Sequence, residues 1–245
     1  MQAIVEVDGG APLSDEILAS PVPLVLRGLV ADWPLVRAAR GGAGQADAYL
    51  RRFYRDATVL ASHSPPGTGG RIFYNDDLSG FNFMSQMVRF DQVLDALMAH
   101  LDAADPPTLY VGSTTVDTCL PGLRAENDVD LGGRDPLASI WIGNRTRIPA
   151  HYDVPDNLAC VAAGRRRFTL FPPEQLKNLY VGPLDFTPAG QSVSLSTSRG
   201  RTSNASPCSP RRCGTRKLPS WNRGTRCSSP ACGGTTSRGS SLLIS

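Results

Sequence analysis

IPAHYDVPDN, residues 148–157, sets His151 and Asp153 two residues apart. On a strand, alternate side chains share a face, so an imidazole and a carboxylate at this spacing project together. They could take two adjacent corners of a metal site. With a second imidazole they would form the two-His-one-carboxylate arrangement of non-haem Fe(II), which leaves positions open for oxygen and a cosubstrate. The motif alone is short, and a surface loop in which Asp153 accepts a turn hydrogen bond is spelled the same way. The chain has three histidines, His63, His100 and His151, and none follows His151. His63 lies in a polar loop and His100 at a helix end, where surface residues are expected.

The elements that must position this pair are of two kinds. PLVLRGL (23–29) reads as a short strand, followed by an aromatic turn at Trp33-Pro34. AGQADAYLRRFY (43–54) and RFDQVLDALMAHL (89–101) have helical apolar spacing. From residue 108 the pattern changes to short strands between turns: TLYVGS, ASIWIGN, TRIPAHYDV, NLACVAAG and RRFTLF. Helices followed by regularly spaced short strands predict a mainly β fold with N-terminal helices, a sandwich or jelly roll. No internal repeat is visible.

Composition sets the limits. With 245 residues, 41% of them hydrophobic, the chain can bury one sizeable core. It has no apolar run long enough to span a bilayer, and MQAIVEVDGG lacks the basic start and apolar centre of a secretion signal. A soluble, cytoplasmic protein with no membrane partner is expected. In that reducing setting Cys119 and Cys160 are expected as small buried apolar residues.

The block GNRTRIPAHYDVPDNLACVAAGRRRFTLFPPEQLKNLY resembles the JmjC-type, cupin-like 2-oxoglutarate oxygenases, the group that contains the asparaginyl hydroxylase inhibiting hypoxia-inducible factor. The matching features are Pro149-Ala-His-Tyr-Asp153, then Asn157, Gly164, a basic residue at 166, and Leu170-Phe-Pro-Pro173. Upstream, PVPLVLRGLVADWP resembles the same family's first strand and its Trp-Pro. The resemblance implies a double-stranded β-helix, with Fe(II) held by His151 and Asp153 as metal and catalytic residues, and 2-oxoglutarate as cosubstrate. It places Arg166 where the family has a Lys that pairs with the distal carboxylate of 2-oxoglutarate, and a guanidinium can do so in bidentate fashion. Alternation turns Arg166 away from Arg165 and Arg167, so one inward arginine fits a run of three. The resemblance also assigns Asn157 and Tyr110 to the cosubstrate, against a plain turn amide and an ordinary core tyrosine. Ile148 departs from the family, which often has a hydroxyl there. A protein or peptide substrate is implied, and a homodimer is compatible with it.

Residues 196–245 are of a different kind. All 22 acidic residues precede residue 196, whereas this segment has nine basic residues, no acidic one, and no Val, Phe or Tyr. By composition it cannot build a packed core. Its four cysteines, Cys208, Cys213, Cys227 and Cys232, are spaced too loosely for a zinc site. A basic, nucleic-acid-binding arm would fit the charge, but Trp221 is its one aromatic residue, so nucleic acid is not the expected partner. A third reading starts from the genetic code. If each true codon is the last base of one displayed codon plus the first two of the next, Ser220 to Arg238 can read Leu-Glu-Pro-Gly-Asp-Ala-Leu-Phe-Ile-Pro-Gly-Leu-Trp-Trp-His-His-Val-Glu. Leu195 to Pro207 likewise yields Val-Asp-Leu, then Pro-Asp-Leu-Glu-Arg-Phe-Pro. By the resemblance, these are the family's sequences at this place, including the strand that carries the third metal ligand.

The expected organisation is therefore an oxygenase domain over 1–195, incomplete at its C-terminal strands, and an out-of-frame basic tail over 196–245 that lacks regular packing. Such a chain would hold iron weakly and be inactive as written. Two other classes stay open: a cupin-type metal-dependent isomerase or hydrolase, and a non-catalytic protein with a nucleic-acid-binding tail.

Overall fold

The computed structural model describes residues 4–10 and 12–196, and beyond them the backbone alone of 216–217, 225–229 and 241–244. In chain order the elements are β1 (Val5–Asp8), α1 (Asp15–Leu18), β2 (Leu24–Arg27), α2 (Pro34–Gly41) and α3 (Ala43–Arg51). Then come β3 (Thr58–Ser64), β4 (Met84–Arg89), α4 (Phe90–Ala99), β5 (Thr108–Thr115) and α5 (Val116–Cys119). The chain continues through β6 (Ser139–Gly143), β7 (Asn157–Gly164), β8 (Thr169–Leu170), β9 (Arg216–Lys217), β10 (Thr225–Ser229) and β11 (Ser241–Ile244). One sheet has the order β1-β2-β10-β7-β11-β6-β5-β3-β4, and a second pairs β8 with β9. All pairs are antiparallel except β1 with β2. The architecture is mainly β with a few helices, and the described residues do not close a barrel.

The helices cover one face of the large sheet. Phe90, Val93 and Leu94 recur at helical spacing on α4 and are buried, as are Tyr49 and Leu50 on α3 and Leu35 and Val36 on α2. They pack with Val59, Val111, Ile140, Ile142, Cys160 and Ala162 from the strands beneath. The cap of α2 is not local. Trp33 precedes Pro34 at the first helical position and makes no side-chain cap. Asn127 instead accepts the Leu35 N–H at 3.0 Å, and the Trp33 indole donates to the Asp128 carbonyl at 2.9 Å. The same loop binds α3: the Tyr49 hydroxyl donates to Glu126 at 2.6 Å and accepts from Asn127 at 2.9 Å. Burial and the neighbouring Glu126 push its pKa up to about 12.

The opposite face carries a smaller apolar cluster, in which Val25, Ala159 and Val161 meet Ile4, Phe168 and Leu170, with Trp141 beside them. Alternation puts Tyr110 on this face, because its register partner Gly143 is two residues from Trp141.

Three expectations change. The strand expected at 23–29 forms as β2, but strands before residue 108 are more numerous than expected, since β1, β3 and β4 also precede it and interleave with the helices. TRIPAHYDV is not a strand: Arg147 and Ile148 stand as isolated bridge residues, Arg147 paired with Arg71, and residues 149–153 have no regular structure. Pro149, lacking an N–H, cannot continue a ladder. Finally, the tail is not without pairing, because its backbone supplies β9, β10 and β11. The tail cysteine and nucleic-acid readings rest on side chains outside the described residues. Among the described residues no helix is long and apolar enough to cross a membrane.

Candidate metal centre

The loop from β6 to β7 is fixed from both sides. Asn144 is buried and braces its start, accepting from the Leu109 N–H at 2.8 Å and donating to the Pro107 carbonyl at 2.9 Å. Arg147 N–H donates to the Gly70 carbonyl at 2.7 Å, and Ile72 N–H to the Arg147 carbonyl at 3.2 Å. Gly70 has φ +76, and a Cβ there would lie 2.1 Å from the Arg145 carbonyl oxygen. Only glycine allows that approach. On the other side, Ser194 N–H donates to the Ala150 carbonyl at 2.7 Å. The buried Ala150 packs against Phe171 and Leu179.

This bracing aims His151 and Asp153 at one point. His151 Nε2 lies 3.7 Å from Asp153 Oδ1. Its Nδ1 lies 2.9 Å from the Pro149 carbonyl. With the proton assigned to Nδ1 by that bond, Nε2 keeps its lone pair toward Asp153, as a metal-ligating imidazole requires. The carboxylate is held by two amides. Asn157 donates to Oδ2 at 2.8 Å and Gln191 to Oδ1 at 3.3 Å. In this structure, then, Asn157 orients the carboxylate. Gln191 has no counterpart in the sequence reading, because nothing local marks a loop residue 38 positions on from Asp153 as its neighbour.

Arg166 is buried at 4% exposure while Arg165 is exposed, although residues 165–168 between β7 and β8 are not a strand. Its guanidinium donates to the Tyr110 hydroxyl. Desolvation lowers the Arg166 pKa and raises that of Tyr110, which Arg166 lowers and the nearby Asp153 charge raises further. Tyr110 finds room because glycines flank it. A Cβ on Gly143 would come within 2.6 Å of the Leu109 carbonyl and 3.3 Å of the Tyr110 ring, and one on Gly112 within 3.3 Å of that ring. The structure thus brings His151, Asp153, Asn157, Gln191, Tyr110 and Arg166 together.

The donor set fits a mononuclear centre in part. An imidazole nitrogen and a carboxylate oxygen converge, but no cluster of three or more His, Cys, Asp or Glu side chains forms among the described residues. His63 lies on β3, half-buried, and His100 ends α4; neither reaches the pair. An apolar cleft between α3, α4 and the ends of β6 and β7, lined by Leu94, Leu97, Met98 and Ile142, is a separate feature. Cys119 and Cys160 are buried as expected, and burial pushes the Cys119 thiol up to about 11. Residues 11–217 match the family model of the cupin-like domain, and on that match the chain belongs to the cupin-like domain family.

Proposed function

We propose that the chain belongs among the Fe(II)- and 2-oxoglutarate-dependent hydroxylases of its family, inactive as written, and that its frame-restored form acts on a protein or peptide side chain. The observation that carries this reading is the buried Arg166–Tyr110 pair beside His151 and Asp153. A dicarboxylate cosubstrate needs a cation for its far carboxylate, and a guanidinium presents two parallel N–H donors to it. Withdrawn from water, that guanidinium gains more from an arriving anion than a surface arginine does. Tyr110 offers a hydroxyl alongside. His151 presents Nε2, and Asn157 with Gln191 keeps the Asp153 carboxylate from swinging away. Bound iron would supply the oxidation of a C–H bond coupled to conversion of 2-oxoglutarate to succinate and carbon dioxide. Tyr152 and Val154, exposed on either side of Asp153, give apolar surface for a peptide to cover.

The test is 2-oxoglutarate binding and succinate formation in the protein read in the displaced frame from residue 196. Arg166→Ala is expected to weaken 2-oxoglutarate binding by about 1–3 kcal/mol, the worth of a charge-assisted pair. Unchanged affinity would remove Arg166 from the site. Turnover that consumes no 2-oxoglutarate would favour a metal-dependent isomerase or hydrolase instead.

A further inference from the structure

Arg71 and Arg147 stand opposite each other in an isolated parallel bridge. The backbone fixes this pairing. Arg147 N–H donates to the Gly70 carbonyl at 2.7 Å, and Ile72 N–H to the Arg147 carbonyl at 3.2 Å. Asn82 holds the other side, accepting from the Phe73 N–H and donating to the Arg71 carbonyl, each at 2.9 Å. Residues in register across a bridge project to the same side, so two like charges are set next to each other and repel.

Nothing nearby compensates them. Arg27, Arg51, Arg52, Arg89, Arg124 and Arg134 each pair with a carboxylate. Among the described residues Arg71 and Arg147 make no such pair, although residues 1–195 hold 22 acidic side chains against 16 basic ones. Arg71 is also half-buried, its guanidinium 3.7 Å from the centre of the Phe73 ring. Burial and then the Arg147 charge lower its pKa, against a smaller opposing pull from Asp76. A cation withdrawn from water beside a like charge gains from an arriving anion.

The pair stands on the rim of the candidate centre. Arg147 precedes His151 by four residues in the braced loop. Phe73 and Tyr74, which follow Arg71 closely, pack with Val193. The adjacent Ser194 and Gln191 hold Ala150 and Asp153. The Tyr74 hydroxyl donates to the Phe186 carbonyl, and Phe81 stacks on the Phe186 ring with centres 4.4 Å apart. One wall thus carries both the guanidinium pair and the supports of His151 and Asp153.

We infer that Arg71 and Arg147 form an anion subsite that binds a side-chain carboxylate of the peptide substrate, so that acidic sequences are preferred. The inference rests on the peptide-modifying reading above, and it concerns a different anion from the cosubstrate assigned to Arg166. A carboxylate has two oxygens to offer two guanidiniums, so one acidic side chain can accept from both.

The test is calorimetric binding of two peptides to the full chain at low salt: Gly-Ala-Asp-Asn-Asp-Ala-Gly, and the same peptide with Asn in place of both Asp. The acidic peptide is expected to bind at least about tenfold more tightly and to lose that advantage as salt rises. Arg71→Gln and Arg147→Gln should each remove most of the advantage. Arg147→Gln leaves the Phe73 contact in place and relieves a repulsion, so its unfolding midpoint should not fall. Equal binding of the two peptides, or an advantage that survives in both variants, would overturn the subsite. Inorganic phosphate bound more tightly than the acidic peptide would overturn the assignment to a carboxylate. 2-Oxoglutarate that displaces the acidic peptide as readily from Arg166→Ala as from the parent would make the pair the cosubstrate site and overturn it as well. A frame-restored protein that prefers the acidic peptide but forms no succinate would uphold the subsite and refute the hydroxylase reading. Succinate formation with no such preference would refute the subsite alone.

Discussion

Among the described residues, twenty-one buried side chains form one continuous cluster on the sheet face under α2, α3 and α4, against six in the cluster on the opposite face. The covered face is finished by local helices whose sequence carries its own periodicity. The other is shared between a small apolar cluster and a polar site. Stability and chemistry are thus largely divided between the two faces.

The division can be broken by mutation. The largest effect is expected for Phe90→Ala, which empties a fully buried position on the helix face. It should cost about 3–5 kcal/mol in urea or thermal unfolding, while 2-oxoglutarate affinity in the folded fraction stays the same. A loss under 1 kcal/mol would mean that the helix layer is not the main support. Next comes Asp153→Asn in the frame-restored protein. It should abolish tight Co(II) binding, read by the visible spectrum of the metal, yet leave the unfolding midpoint within about 0.5 kcal/mol of the parent. A large fall in stability would show that the site face also bears structural weight.

Arg166→Met sharpens the same contrast. Replacing a buried cation with an apolar side chain of similar length should leave stability equal or raise it, while 2-oxoglutarate binding is lost. A strongly destabilised variant would assign Arg166 to structure. The smallest effect is a pH dependence on the helix side. Tyr49 has its pKa raised from about 10 in the unfolded chain to about 12 in the fold. Its contribution is complete below pH 10 and is lost as pH rises toward 12. Tyr49→Phe should cost about 1 kcal/mol at neutral pH and flatten the alkaline slope between those values. Parallel alkaline curves for the two proteins would remove Tyr49 from this role.

The sequence disclosed these regions unequally. α3, α4, β2 and β5 to β7 were readable because their apolar residues recur with the right period and are buried accordingly. β4 was not, since nearly every residue of Met84–Arg89 is exposed and no alternation is imposed on it. The Asn127 cap on α2 was hidden because it spans 92 residues. His151, Asp153, Arg166 and Tyr110 were picked out by motif and meet in space. The assumed strand was nevertheless wrong, for the pair is aimed by a braced loop. Gln191 was invisible for the same reason as Asn127: its partner is distant in sequence, and a loop glutamine carries no periodic signal.

Cys119 and Cys160 give this contrast a clock. Both thiols are buried, Cys119 as the last residue of α5 and Cys160 on β7 beside β10. A disulfide reagent can reach either one only when its surroundings open, so each labelling rate measures a local opening equilibrium. Cys119 lies wholly within the helix-side cluster and should react at a rate close to that of global unfolding. Cys160 borders β10, so its rate would count how often that strand leaves its place, molecule by molecule, in whichever frame the tail is read.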